Sequence, residues 1–514
     1  MTSLVPREPY TADELRSLYP EGLELQLVQV LLRHGERTPV SARFQNTGLH
    51  GHWPYCNAAR TLTSAVLSTS DFSKWGSLKY QRSLETFGPD DGPVLTAGPK
   101  QESDAICLPG ELTDLGRKTT LELGHRLRRL YVDQLGFMPK VISNTDMIYL
   151  RSTPIPRALE SMQQAFSGMY PSSALTADCP PPTIYQRTPA NETLYPNDSG
   201  CRRFAHLNRA FAERTAARWN GSPEMRYVNK KIGKWMPDGL VAVDSRPRLS
   251  GIMDSVNATF AHGAPTKLPA EFYDPKLREI LDKVAVEEWF AGYTESREYR
   301  MLGIGALAGD IVSRMVGNAE QAAVDASAQG GGDDDDVRAG KERETGIKFA
   351  LSGCHDTTLA ALLTGLGAFK GEKWPPFTSH IAVELFKKTE SKVESEAEGS
   401  EDAATLAKKP KGFWNKKSAG KLEGIARRPM QELTEDEKQR LEGYFVRLRY
   451  NDKVMQVPGC KLPGNHLEGD ESFCTLTAFK TLVDKFTPPN WKKACGSNLD
   501  SPKFPPEIEP AGEL

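Results

Sequence analysis

Long hydrophobic runs are missing from this 514-residue chain, and so is an excess of charge of either sign. No uninterrupted apolar stretch approaches the roughly 18 residues that a membrane-spanning helix needs. The mean hydropathy is −0.49, so we expect no membrane span. The 65 Lys and Arg residues are balanced by 67 Asp and Glu residues, which leaves a formal charge of −2. Because no positive field covers the chain, nucleic acid is not an expected partner.

Motifs for metal and cofactor binding are also missing. The nine His and eight Cys residues show neither C-x2-C nor H-E-x-x-H spacing, so we expect no metal. The segment Gly303–Ala308 resembles a dinucleotide-binding fingerprint only superficially, because it lies within a helical pattern and no strand precedes it. We therefore expect no cofactor.

A secretory signal peptide is not visible either. Residues 1–20 contain acidic residues and prolines but no apolar core segment, so we expect an intracellular, cytoplasmic protein. Two features leave a secretory compartment open. The eight cysteines could pair completely in an oxidising compartment. Four N-x-S/T sequons also occur, at Asn191, Asn197, Asn220 and Asn257.

One stretch joins an apolar run to a cluster of charge. Leu25–Leu32 is dense in Val and Leu, as a strand buried on both faces would be, and the sequence RHGERTP follows at once. Ligands of open α/β sheets bind outside the carboxyl ends of the strands. The planar guanidiniums of Arg33 and Arg37 suit phosphoryl oxygens, and their charge is expected to keep one nitrogen of His34 unprotonated and nucleophilic. The stretch predicts a phosphate site, against the alternative of an exposed basic turn.

Two further predicted strands end in polar residues. Met147–Leu150 is followed by Arg151, and Ile347–Leu351 is followed by His355 and Asp356 at the start of an apolar helix. The positive end of a helix dipole favours an anion. Asp356 could protonate a leaving oxygen and later accept a proton from water, while His355 could donate to phosphoryl oxygens.

These motifs resemble those of the histidine acid phosphatases, the branch of the histidine phosphatase superfamily that includes prostatic-type and lysosomal acid phosphatases and fungal phytases. Residues 33–39 match the R-H-G-x-R-x-P signature, residues 110–116 resemble the G-x-L-T-x-x-G segment, and residues 355–356 match the H-D element. Residues 151–157 resemble R-S-T-D followed by a second Arg. Pro154 stands where the family has Asp, and Arg157 matches the second Arg.

The resemblance implies a chemistry and its residues. It implies an acid phosphatase that acts on a small phosphate monoester, in which His34 forms a phosphohistidine and Asp356 is the proton donor. It assigns phosphate binding to Arg33, Arg37, Arg151 and His355. It also implies a disulfide between Cys460 and Cys474. The substrate and the oligomeric state are left open.

The expected fold is α/β, with a central, largely parallel sheet flanked by helices and a helical cap insertion. The predicted divisions are a phosphatase domain at 22–170, 347–386 and 438–500, a mainly helical cap at 171–318, an acidic flexible linker at 319–346, and a low-complexity charged insert at 387–437. Residues 41–110 and 172–265 are predicted to be rich in loops. Residues 381–386 and 444–457 are predicted strands at the edge of the sheet.

Other functional classes stay open at this point. A phosphoglycerate-mutase-like phosphotransferase shares the R-H-G-E start of the first motif. A binding protein or scaffold built on the phosphatase fold is also compatible with the acidic segments. A cysteine-dependent phosphatase is disfavoured, because the C-x5-R pattern that begins at Cys354 would need Arg at position 360, where alanine stands.

Overall fold

A computed structural model describes residues 3–4, 7–328, 346–369, 373–389 and 424–514, with the backbone alone for 322–328. Most of the predicted acidic linker, and of the charged insert predicted at 387–437, therefore lies outside the described residues. In the part of the chain that is described, no helix combines the length and the apolar character needed to cross a membrane.

The chain alternates strands and helices in its first and last thirds and is helical between them. The strands are β1 (Leu23–Arg33), β2 (Leu62–Leu67), β3 (Trp75–Tyr80), β4 (Glu85–Phe87), β5 (Pro93–Leu95), β6 (Ile148–Ser152), β7 (Ile184–Tyr185), β8 (Phe349–Cys354), β9 (His380–Lys388), β10 (Tyr444–Tyr450), β11 (Lys453–Met455), β12 (His466–Leu467) and β13 (Asp470–Thr475). The helices are α1 (Ala12–Leu18), α2 (Asp114–Arg128), α3 (Pro156–Met169), α4 (Arg202–Trp219), α5 (Pro223–Ile232), α6 (Leu249–His262), α7 (Pro275–Glu295), α8 (Arg297–Arg300), α9 (Ala306–Ala328), α10 (Asp356–Gly365), α11 (Glu435–Gln439), α12 (Leu476–Asp484) and α13 (Trp491–Cys495).

The main sheet is mixed and has the order β12-β13-β10-β9-β1-β8-β6-β7, with β11 paired to β10. Strands β1, β8, β6 and β7 run parallel, and β9 joins β1 in the antiparallel sense. The parallel strands β1, β6 and β8 end side by side, since Arg33 pairs with Cys354 and Ser152 pairs with Gly353. The α/β prediction, with mostly parallel central strands, is confirmed.

The predicted edge position of residues 381–386 is wrong. Strand β9 lies between β1 and β10 in the middle of the sheet, and its residues from His380 to Phe386 are all buried. A strand covered on both faces shows no alternation of polar and apolar residues. The near-continuous apolar run of β9 is the pattern of such a strand, so the sequence itself favours a central position over an edge.

Helices cover both faces of the sheet, and alternate residues of β1 belong to different cores. Val28, Val30 and Leu32 pack with residues of α2 and α3. Leu27 and Leu31 pack with residues of α4, α7, α9, α10 and α12 on the other face. This three-layer arrangement holds the carboxyl end of β1 rigidly, because a side chain on each face is fixed by its own core.

The cap has a core of its own. Residues of α4 to α7, among them Trp219, Met225 and Ile252, pack with Phe44 and Trp53 from the segment after β1. The loop-rich prediction for 172–265 is wrong, because α4, α5 and α6 lie there, and residues 41–110 contain the hairpins β2–β3 and β4–β5. The predicted domain boundaries stay a prediction. Helix α9, which begins inside the predicted cap range, packs against the sheet.

Three disulfides join distant segments of the chain: Cys56–Cys107, Cys201–Cys495 and Cys460–Cys474. The last is the pair that the family resemblance implies. Cys201–Cys495 spans 294 residues and ties the start of α4 to the end of α13. Cys179 and the buried Cys354 are free thiols.

Candidate active site

The residues that follow β1, β6 and β8 stay side by side beyond the ends of the strands. The backbone N–H of His34 donates to the carbonyl of Cys354 at 3.1 Å, and that of Thr153 donates to the carbonyl of Gly353 at 3.2 Å. The backbone N–H of Thr378 donates to the carbonyl of His34 at 3.2 Å. These contacts fix the backbone around His34 from both neighbouring strands.

Two glycines bring the loop after β1 against the start of α2. A Cβ added at Gly35 would lie 2.3 Å from the carbonyl oxygen of Gly116, and one added at Gly116 would lie 2.1 Å from the carbonyl oxygen of Glu36. Only glycine allows two backbones to approach this closely. Helix α2 therefore helps to set the position of the RHGE segment.

The ring of His34 is buried and held in one tautomer. Its Nδ1 lies 2.9 Å from the carbonyl oxygen of Gly35. Because a carbonyl oxygen can only accept, Nδ1 carries the ring proton, and Nε2 keeps its lone pair. Burial lowers the pKa of His34 well below its ordinary value, and the charges of Arg157, Arg33 and Arg37 lower it further. The ring is thereby kept neutral, as a nucleophile requires.

His355 lies next to this ring, 5.5 Å away between ring centroids and edge-on to it. It is the N-cap residue of α10, and its Nε2 lies 3.1 Å from the hydroxyl of Thr153 at the end of β6. Burial and the charge of Arg157 lower the pKa of His355. The neutral ring can offer one N–H to an anion at the start of α10.

Asp356 is the first residue of α10, and its carboxylate is held by three donors. Arg33 Nη2 lies 2.7 Å from Oδ2, and the indole Nε1 of Trp374 donates to the same oxygen at 2.9 Å. The backbone N–H of Thr357 donates to Oδ1 at 2.8 Å. Burial alone would raise the pKa of Asp356, but Arg33 and Trp374 outweigh it and hold this pKa below its ordinary value.

Arg33 and Arg37 contact the same aromatic ring, but each pairs with a different carboxylate. The guanidinium carbons lie 4.2 Å and 5.8 Å from the centroid of Phe377. Arg37 Nη1 lies 2.7 Å from Asp254 of the cap helix α6. The Nε atoms of both arginines are buried without a hydrogen-bond partner among the described residues. Such donors are costly to leave unpaired, and a phosphate oxygen would satisfy them.

Arg151 does not join this group. Its guanidinium is buried and pairs with two carboxylates, with Nη2 at 2.6 Å from Glu192 and Nη1 at 3.5 Å from Asp310. Arg157, in the first turn of α3, instead exerts the largest charge effect on both His34 and His355. Its Nε is also buried without a partner among the described residues. The side chain that reaches the site from this segment is therefore Arg157.

A cleft of about 320 Å³ leads to these residues, lined by Arg33, Arg37, Asp254, Asp356, Trp374 and Phe377 among others. It adjoins a wider groove of about 1000 Å³ that also borders Arg33 and Trp374. The combination of a nucleophilic imidazole, several guanidiniums and a carboxyl group suits transfer of a phosphoryl group from a bulky ester.

Sequence analysis identified five of the residues that the structure brings together: Arg33, His34, Arg37, His355 and Asp356. It missed Trp374 and Asp254, which contact Asp356 and Arg37. Neither belongs to a motif, and each comes from a segment remote in the chain, so no local signal could have indicated them. Arg157 did carry a signal, because it matches the second arginine of the family pattern.

Comparisons with known proteins agree with this geometry. The profile of the histidine phosphatase superfamily (branch 2) matches residues 24–399. The chain is similar to a probable acid phosphatase of Schizosaccharomyces pombe, with 33% identity over 93% of this chain and 95% of the relative. It is similar to lysophosphatidic acid phosphatase type 6 of Homo sapiens, with 24% identity over 72% of this chain and 76% of the relative.

Among solved structures, the apo form of Hafnia alvei phytase aligns with a TM-score of 0.48 and 12% identity, over 93% of this chain and 99% of that chain. The family profile covers well over half of the chain, and the yeast relative is more than 30% identical over nearly its whole length. On this evidence, the chain belongs to the histidine phosphatase superfamily, branch 2.

Proposed function

We propose that the chain is an acid phosphatase that hydrolyses small phosphate monoesters through a phosphohistidine on His34, with Asp356 as the proton donor. Family membership supports the reaction class, because relatives of the chain are named acid phosphatase and lysophosphatidic acid phosphatase. The observation that carries the residue roles is the state of His34. Its Nδ1 is bonded to the carbonyl of Gly35, and its pKa is lowered by burial and by three arginines.

Substrate binding exchanges partners within the site. In the structure the carboxylates of Asp356 and Asp254 pair with Arg33 and Arg37. A phosphate dianion competes for the same guanidiniums, and it can satisfy their unpaired donors as well. Once phosphate has drawn Arg33 away, the pKa of Asp356 rises, because its strongest positive neighbour is then neutralised. Binding thus prepares the carboxyl group to hold a proton.

In the first step the Nε2 lone pair of His34 attacks phosphorus in line with the ester oxygen. The N–P bond forms as the P–O bond to the leaving group breaks, and Asp356 gives its proton to the departing oxygen. Arg33, Arg37, Arg157 and His355 neutralise the equatorial oxygens. The products are the free alcohol and a phosphohistidine.

In the second step water attacks the phosphohistidine. Asp356, now a carboxylate, takes the proton of the water as its oxygen bonds to phosphorus and the P–N bond breaks. His34 is released neutral, and inorganic phosphate leaves. The two steps together consume one ester and one water and yield one alcohol and one phosphate.

Arg157 takes the role that the sequence pattern assigned to Arg151. Among the charged residues, its charge acts most strongly on both imidazoles of the site. Arg151, by contrast, pairs with the buried carboxylates of Glu192 and Asp310. We therefore propose Arg33, Arg37, Arg157 and His355 as the phosphate-binding set.

Two substitutions test the proposal. His34→Ala should reduce hydrolysis of an aryl phosphate to less than about 1%, since the covalent route is lost. Asp356→Asn should slow release of the alcohol in the first turnover far more for alkyl phosphates than for aryl phosphates, because only the poor leaving group needs a proton. The second step is common to both esters and is excluded from this comparison. The exposed His125 on α2 provides the control, and His125→Ala should hydrolyse both at the wild-type rate. Equal slowing of first-turnover alcohol release from both esters by Asp356→Asn would refute its role as proton donor.

A further inference from the structure

Trp374 stands between the proton donor and the cap. Its indole ring packs against two residues of α7, with ring centroids 6.0 Å from Trp289, to which it is perpendicular, and 5.1 Å from Phe290. The ring is therefore held in place by packing against α7. From this position its Nε1 donates to Oδ2 of Asp356 at 2.9 Å.

The hydrogen bonds to Asp356 are distributed unequally. Oδ2 receives both the Arg33 guanidinium and the Trp374 N–H, whereas Oδ1 receives only the backbone N–H of Thr357. A proton on a carboxyl group occupies the oxygen that accepts fewer and weaker hydrogen bonds. When phosphate draws Arg33 away, Trp374 is the side-chain donor that remains on Oδ2.

We propose that Trp374 is a positioning residue for proton transfer, which orients Asp356 so that Oδ1 carries the proton delivered to the leaving oxygen. This inference rests on the proposed phosphatase mechanism. In the first step the O–H bond of Oδ1 breaks and its proton passes to the ester oxygen as the P–O bond breaks. The carboxylate that results is stabilised by the indole N–H, which already points at Oδ2.

The location of Trp374 also links this role to the substrate. Trp374 borders both the phosphate cleft and the wider groove of about 1000 Å³. A leaving group that is too large for the cleft extends into the groove along the indole ring. The residue that orients the acid thus also borders the path of the departing alcohol.

The test compares Trp374→Phe with the wild type over a range of pH. Phe keeps an aromatic ring against α7 and removes the N–H. A hydrogen bond to a charged group is equivalent to about one pKa unit. On the basic side of the optimum, the pH at which kcat for an alkyl phosphate falls (the basic limb) should therefore rise by about one unit. Without the Trp374 N–H the carboxylate form of Asp356 is less stable, so its carboxyl group is a weaker acid. At the wild-type optimum, kcat for the alkyl ester should fall about tenfold, while kcat for p-nitrophenyl phosphate and both KM values change less than about twofold.

Trp491→Phe is the matched control. It also removes one indole hydrogen bond, from Nε1 to the carbonyl of Leu302 at 2.8 Å, but on α13. Its pH profile should be that of the wild type. Thermal melting and the inhibition constant of inorganic phosphate report whether each variant folds. If Trp374→Phe does not fold, Trp374→Leu replaces it, since leucine also lacks a donor.

If the basic limb of the kcat–pH profile does not shift in Trp374→Phe, or if kcat falls equally for both esters, the role of Trp374 is overturned even where hydrolysis still depends on His34. If wild-type hydrolysis proves independent of His34, the proposed function itself fails, so the two failures are distinguishable.

Discussion

Arg151 is buried and Arg157 half-buried, and they lie only six positions apart, but they face different partners. The charge of Arg157 acts on His34 and His355, whereas Arg151 pairs with Glu192 and Asp310. Arg157→Ala should lower kcat/KM about 10- to 100-fold or more, since a charge-assisted hydrogen bond is worth about 1.5–3 kcal/mol. Arg151→Ala should instead cost about 3–5 kcal/mol of folding free energy, because two buried carboxylates lose a partner.

Steady-state kinetics and urea unfolding, applied to both variants, separate the two roles. The inhibition constant of inorganic phosphate should rise strongly in Arg157→Ala and little in Arg151→Ala at a temperature where both are folded. The reverse pattern would restore Arg151 as the phosphate-binding residue.

The motifs at 33–39 and 355–356 were sufficient to indicate their chemistry, because few sites need two arginines, an imidazole and a carboxyl group at strand ends. The choice between Arg151 and Arg157 depended on side-chain direction. Leu150 belongs to the core beside α2 and α3, so the next residue of β6 points to the other face, toward Asp310 on α9. Residue type alone could not show which of the two arginines points into the site.

The contact between the RHGE loop and α2 depends on Gly116, the third residue of that helix. Gly116→Ala would place a Cβ about 2 Å from the carbonyl oxygen of Glu36, a distance that real structures do not tolerate. The loop must shift, so we expect a loss of at least about 2 kcal/mol of folding free energy and a fall in kcat of tenfold or more. Differential scanning calorimetry and aryl phosphate kinetics measure the two effects.

Gly317 on α9 gives the matched control. No heavy atom lies within 4 Å of the Cβ that alanine would add there. Gly317→Ala should stabilise the protein by about 0.5–1 kcal/mol, as alanine does in a helix interior, and should leave kcat unchanged. Equal behaviour of the two variants would show that the α2 contact is unimportant for the site.

Elements with a strong local pattern were predicted well, and those defined by their neighbours were not. β1, β6 and β8 combine apolar runs with polar ends, and their parallel order follows from the α/β pattern. Helix α4 was missed although Phe204, Leu207 and Phe211 recur at helical spacing and the Ala and Arg residues around them favour a helix. The place of β9 depends on pairing with β1 and β10, which no single segment encodes.

The N-terminal segment and strand β10 meet at a buried ion network around Glu384 of β9. Its carboxylate accepts from the hydroxyls of Tyr19 and Tyr131 at 2.6 and 2.8 Å. It also pairs with Arg447 at 2.7 Å and with Arg449 at 3.3 Å. Burial would raise the pKa of Glu384, but the two arginines outweigh it and lower that pKa to about 2. The network joins the N-terminal segment to strands β9 and β10.

Glu384→Gln should lower the free energy of unfolding by about 3–5 kcal/mol near neutral pH, since two buried arginines then lack a negatively charged partner. The folded pKa is below the unfolded value of about 4.3. The wild-type advantage is therefore fully present above that pH and is lost as pH falls toward about 2. Urea unfolding of both proteins at several pH values measures it, with the exposed Glu435→Gln as control. A difference that does not change with pH would contradict the linkage.

The state of the cysteines bears on the cellular compartment of the protein. Six of them form three disulfides, which favours an oxidising compartment over the reducing cytoplasm that was expected. The compartment stays a prediction. Alkylation of the protein from its native source, followed by mass spectrometry, distinguishes the two, because an intracellular protein should have reduced cysteines.

The central step of the proposed mechanism is the transfer of the phosphoryl group to His34. Rapid acid-free quenching of the enzyme with a labelled aryl phosphate, followed by peptide mass spectrometry, tests it directly. One phosphoryl group per chain should be found on the imidazole of His34, accumulating more in Asp356→Asn, whose second step lacks its base. Turnover with no phosphohistidine at His34, or with the label on another residue, would contradict it.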